Sequence, residues 1–168
     1  MPERGAGWEL SFVAHLGSLA RRKDRRALAV LRKGLAAAPG MDPICYPYVF
    51  PIIPSDLAPW KQRLAFTIAS LFALHPESTD RGNLGTSFHQ IGKPSESIEK
   101  RFVALLSCHR DDLAHHLRQA ISLLRSKEVR VNWLQLVRDI ESWNRDDRVV
   151  QRRWAAEYWG STAPEKRQ

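Results

Sequence analysis

The side chains of this protein best suited to chemistry are its cations. Arg21, Arg22, Lys23, Arg25, Arg26, Arg32 and Lys33 crowd one short stretch, with Asp24 as the single acid among them. Taking about 100° per residue on a helix, Arg22, Arg26 and Lys33 fall on one stripe roughly opposite Leu28, Leu31 and Leu35. Arg118 and Arg125 share a stripe in the same way, and so do Arg145, Arg148 and Arg152. A guanidinium offers a planar fork that grips phosphate through two hydrogen bonds. Ridges of this kind can follow a phosphate backbone without reading bases.

Other reactive groups form weaker sets. Of the six histidines, His15, His75, His89, His109, His115 and His116, only the last two are adjacent, and neighbours on a helix diverge too far to share a metal. His109, Arg110 and Asp111 echo a kinase catalytic loop, but no Asn follows at the required offset and no Gly-rich strand loop is present. Gly82 and Gly85 make a lone GxxG with no sheet around it, which a KH domain would need. No Walker loop, Gly-x-Ser-x-Gly elbow or HExxH occurs. The expectation is a protein that is not an enzyme, with no metal and no cofactor. Cys45 and Cys108 have no second thiol near either in sequence, fit no metal pattern and are expected to be reduced.

The elements that must position the cations are helices. Trp8, Phe12, Leu16 and Leu19 keep a helical period, and Asp24 caps a second helix carrying Leu28, Leu31 and Leu35. Six of the ten prolines lie between Pro39 and Pro59, which predicts a turn-rich strap buried through Ile44, Tyr48, Val49, Phe50, Ile52 and Ile53. Ser55 or Asp56 then caps a helix with Pro59 in its first turn and Trp60, Leu64, Ile68, Leu71 and Phe72 inside, ending at His75 and Pro76. The polar stretch 76–94 reads as a linker with at most one helical turn, near Leu84 and Phe88. Beyond it, Ser95, Asp111 or Asp112, Asn132, and Asp146 or Asp147 start four more helices. Their apolar faces hold Phe102 and Leu105, then Leu117 and Ile121, then Trp133 through Trp143, then Val150, Trp154 and Tyr158. The chain is therefore expected to be all-α, a two-lobed helical bundle of about eight or nine helices. Residues 8–75 form one lobe, 76–94 a linker, 95–160 a second lobe, and 161–168 a frayed tail. Trp60, Trp133, Trp143 and Trp154 read as core, which leaves Trp159 beside Gly160 as the tryptophan for a partner.

Composition supports this reading. The 168 residues carry a net charge of +8, and 19 of the 26 cations are arginine. That bias favours nucleic acid as the partner. With 43% apolar residues and six tryptophans, a continuous core is available and disorder is disfavoured. No apolar run approaches membrane-spanning length, and MPERGAGWEL lacks a signal-peptide pattern, so the expected location is cytoplasmic, without a membrane partner.

From about Leu16 to Tyr158 the succession of segments resembles the CasB family, the small subunit of the type I-E CRISPR surveillance complex called Cascade. The resemblance rests on ALAVLRKGL, WKQRLAFTIASLFALHP, GNLG, SIEKRFVALLSCHRDDLAHHLRQAISLL and VNWLQLVRDIESWNRD. It implies a non-catalytic, two-lobed, all-α protein of antiviral defence. Two copies would pack head to tail, contact the repeated backbone subunits and the large subunit, and steady the guide RNA paired with target DNA. A basic groove would hold the displaced strand. Matched by motif, the functional cations are Arg32, Lys33, Arg63, Lys100, Arg101, Arg110, Arg118 and Arg145, to which the stripes add Arg22, Arg26, Arg125 and Arg148. The chain departs from the family pattern in its long Pro-rich strap and in Thr86. Two other readings remain open on the residues alone. One is a free-standing helical nucleic-acid-binding or protein-interaction module, and the other is a metal-dependent hydrolase using His109, Asp111 and Asp112.

Overall fold

A computed structural model describes residues 7–93 and 95–160, which form nine α-helices and four short 3-10 turns with no strand among the described residues. The chain divides into two compact units, Met1–Pro76 and Glu77–Gln168. The tail 161–168, expected to fray, lies outside the described residues.

The first unit contains α1 (Trp8–Arg21), α2 (Arg25–Lys33), α3 (Tyr46–Val49) and α4 (Pro59–Leu74). Asp24 ends the α1–α2 turn as expected, its carboxylate accepting from the Ala27 amide at 3.0 Å. Lys23, at φ 55°, reverses the chain just before it. As a result Arg22 terminates α1 and does not share a stripe on α2 with Arg26 and Lys33. Phe12, Leu16, Leu31, Ile68 and Leu71 are fully buried, each contributing about 1.5–3 kcal/mol of transfer free energy. The helix after the strap is capped differently from expectation. Ala58 precedes Pro59 without a side-chain cap, and Gln62 instead donates to the Leu57 carbonyl at 2.9 Å.

The strap is only half buried. Its turns at Pro43–Cys45 and Phe50–Ile52 continue α3 into a helix-like path with an inner and an outer side. Cys45, Val49 and Ile53 point inward, whereas Ile44 and Phe50 are 44% and 43% exposed.

The second unit contains α5 (Leu84–His89), α6 (Glu96–Ser107), α7 (Leu113–Ser126), α8 (Trp133–Glu141) and α9 (Val149–Trp159). The segment read as a linker with at most one helical turn near Leu84 and Phe88 carries the six-residue α5 at that place, with Leu84, Ser87 and Phe88 buried. Asn83 and Thr86 form a reciprocal capping box that closes this short helix. Gly85 faces the backbone of Trp154 so closely that a Cβ there would overlap the Trp154 carbonyl. GNLG is thus a packing device, with Gly82 at φ 73° making the turn into it. Phe88 and Phe102 lie 4.8 Å apart, Phe102 and Tyr158 4.6 Å, and Trp143 and Trp154 5.1 Å, forming the aromatic core.

Ser95 and Asn132 cap α6 and α8 through the amides of Ile98 and Gln135, both at 3.1 Å. Two other expected caps differ. Asp112 stands at the N-cap of α7 but makes no side-chain cap bond, and the 3-10 turn before it is capped by His109, whose ring nitrogen accepts from the Asp111 amide at 3.2 Å. Arg148, at φ 53°, precedes α9, so Arg145, Arg148 and Arg152 do not lie along one helix. Asp147 still accepts from the Val149 amide at 3.1 Å.

Candidate nucleic-acid interface

The twelve cations nominated from sequence separate into three groups by what holds them. Arg26, Arg32 and Lys33 on α2, Arg63 on α4, and Arg101, Arg118 and Arg125 on α6 and α7 are exposed. Four more are exposed and have the following partners. Arg22 lies 3.7 Å from Asp24, Lys100 lies 3.1 Å from Glu96 one turn away, and Arg148 donates to the Leu106 carbonyl. Arg145 grips Asp147 with both arms of its fork, Nε to Oδ1 at 3.2 Å and Nη2 to Oδ2 at 2.8 Å. These bonds hold the Arg145 pKa above and the Asp147 pKa below their ordinary values.

Arg110 forms the third group by itself. It is half-buried, and its Nη2 donates to the carbonyls of Ile140 and Glu141 at 3.2 and 3.1 Å, closing the C-terminal end of α8. Desolvation lowers its pKa, opposed by Asp111 and Glu141. Trp143 reinforces this clip by donating from Nε1 to the Cys108 carbonyl at 3.1 Å.

The packing of α6 on α7 brings Arg101 and Arg118 to one hollow of about 610 Å³, shared with His115, Gln119 and Ser122. His115 Nε2 and Gln119 Nε2 are 3.2 Å apart, within hydrogen-bond distance. The amide nitrogen donates to the ring nitrogen, so two guanidiniums, the remaining amide N–H and a hydroxyl are the donors offered to phosphate oxygens. Arg125, on the same helix, does not line this hollow, and neither does Arg145.

A second hollow, of about 230 Å³, lies where α8 meets the start of α9, and Arg138, Arg145 and Arg153 line it. Sequence reading missed Arg138 and Arg153. Stripe counting along a single helix cannot see a convergence made by two helices, and the break at Arg148 shifts the phase of α9.

Four tryptophans, Trp8, Trp133, Trp143 and Trp154, are at most 3% exposed, whereas Trp60 is half-buried. Trp159 is 39% exposed and packs one side on Phe102 and Tyr158. Cys45 and Cys108 are free thiols, and burial pushes both pKa values up. Among the described residues no three His, Cys, Asp or Glu side chains converge as metal ligands, and no helix is long and apolar enough to cross a membrane.

Residues 27–159 match the model of the family described as CRISPR-associated protein Cse2. A curated relative, the CRISPR-associated protein Cse2 of Thermus thermophilus, is 36% identical over 144 residues, covering 83% of this chain and 82% of the relative. The crystal structure of CasB from Thermus thermophilus superposes with a TM-score of 0.80 at 32% identity, over 95% of this chain and 99% of that one. A chain of a CRISPR RNA-guided surveillance complex gives a TM-score of 0.74 at 28% identity, over 94% and 98% of the two chains. The family match runs from α2 to α9 and the structural match extends beyond it, so the chain belongs to the Cse2, or CasB, family.

Proposed function

We propose that this protein is the non-catalytic small subunit of a type I-E CRISPR Cascade complex, where it holds nucleic acid by its phosphates. The observation that carries the reading is the placement of Arg101 and Arg118, from two different helices, around one hollow. Family membership supports the assembly, as does the likeness to a chain of an RNA-guided surveillance complex. Its partners are the guide RNA, the target and displaced DNA strands, the backbone and large subunits, and a second copy of itself, and it works in the cytoplasm.

Pairing of guide with target replaces one duplex by another of similar stability, so modest phosphate contacts tip the balance toward the open R-loop. Such contacts need no base-edge readers. The test is reconstitution of the complex with its guide RNA and the variant in which Arg32, Arg101, Arg118 and Arg145 are all replaced by alanine. The variant complex is expected to load guide RNA normally and to lose its R-loop faster. An R-loop as long-lived as the parent's would overturn the reading.

A further inference from the structure

The hollow between α8 and the start of α9 is distinct from the one shared by Arg101 and Arg118. Arg138 stands on α8, Arg145 on the connection and Arg153 on α9, and all three are exposed at its rim. Gln135, Ser142 and Asp139 complete the polar lining. Asp139 is committed inward, its Oδ2 accepting from Trp154 Nε1 at 2.7 Å and its Oδ1 from Gln135 Nε2 at 2.8 Å. Arg138 and Arg153 are exposed at this hollow, and the charge of Arg153 also acts on the Asp139 carboxylate, lowering its pKa against the effect of burial. The volume of about 230 Å³ corresponds to roughly seven or eight waters, room for one phosphate and part of its hydration shell. No aromatic side chain lines it, so it has no platform for stacking a base.

We infer that this three-arginine hollow seats a backbone phosphodiester of a single strand, with Arg138 and Arg153 as its unassigned ligands. The inference rests on the reading that the protein binds a nucleic-acid strand, and it adds a second point of attachment to that strand. Arg145 joins the site only in part, because the Asp147 carboxylate already occupies its fork. The phosphate therefore meets Arg138 and Arg153 first.

The experiment measures fluorescence anisotropy of a labelled oligothymidylate, and of an abasic deoxyribose-phosphate chain of equal length, over a range of NaCl concentrations. The full protein is compared with Arg138→Ala/Arg153→Ala and with Arg101→Ala/Arg118→Ala. Arg138→Gln/Arg153→Gln replaces the first variant if alanine reduces the helical circular dichroism. Losing the one phosphate contact that the two arginines share is expected to flatten the salt slope by about 0.7 and to weaken binding of both probes. If the Arg138/Arg153 variant matches the parent while the Arg101/Arg118 variant loses affinity, the hollow is no phosphate site and the wider reading stands. A loss confined to oligothymidylate also overturns the inference, since the arginines would then contact bases. A parent that binds neither probe overturns both.

Discussion

Gly85 on α5 lies directly against the Trp154 carbonyl of α9, with no space for a methyl group between them. The obstacle is backbone within a helix and cannot rotate aside. Gly85→Ala is therefore expected to destabilise the protein by about 1–3 kcal/mol or more, as overpacking does. Urea unfolding followed by circular dichroism measures this, and an unchanged midpoint would show that α5 can move off α9 without cost.

Arg110 is a structural arginine. Replacing it with alanine strips two carbonyls at the end of α8 of a charged donor, which should cost about 1.5–3 kcal/mol. Exposed Arg101→Ala should stay within about 0.5 kcal/mol of the parent and lower affinity for DNA. Thermal unfolding and oligonucleotide binding, measured on both variants, should sort them oppositely.

The Arg145–Asp147 fork predicts a gain. Asp147→Asn keeps an acceptor for the Val149 amide while releasing the guanidinium. Affinity for single-stranded DNA should rise, and the salt slope should steepen by up to about 0.7. Asp146→Asn removes the same charge from an exposed neighbour and is the control. Equal gains in the two variants would mean that the fork does not restrain Arg145.

Asp139 predicts a pH dependence. Burial raises its pKa, opposed by the hydrogen bonds from Trp154 and Gln135 and by the charge of Arg153. The folded state thus holds the proton more tightly than the unfolded chain, where the group titrates near 3.8. Its contribution to stability is full below that pH and is lost as the pH rises through the raised native value. Asp139→Asn abolishes the titration and leaves an oxygen for Trp154 Nε1. The Tm of the variant minus that of the parent should increase from acid toward neutral pH, and a difference independent of pH would refute the shift.

What sequence could reveal followed the range of the interactions. Asp24, Ser95 and Asn132 act on amides three residues ahead, so their caps are legible in the local pattern. A helical turn near Leu84 and Phe88 is legible too, but its packing as α5 is not, because that depends on Gly85 fitting against Trp154 far along the chain. Arg148 starts α9 from a left-handed conformation that its residue type does not announce. Exposed arginines were legible as phosphate ligands by chemistry alone. Their grouping into hollows was not, since Arg101 meets Arg118, and Arg138 meets Arg153, only through the packing of one helix on another.

The pairing of α5 with α9 also governs the order in which the protein can mature during synthesis. In the first unit α2 and α4 pack together, so its core can close once Leu74 has emerged. In the second, Phe88 and Phe102 wait for Tyr158 on the last helix. At about 5–20 residues per second that interval lasts several seconds on the ribosome. For that time the nascent chain carries a folded first unit and an open aromatic face in the second, which is the period in which it most needs shielding from its neighbours.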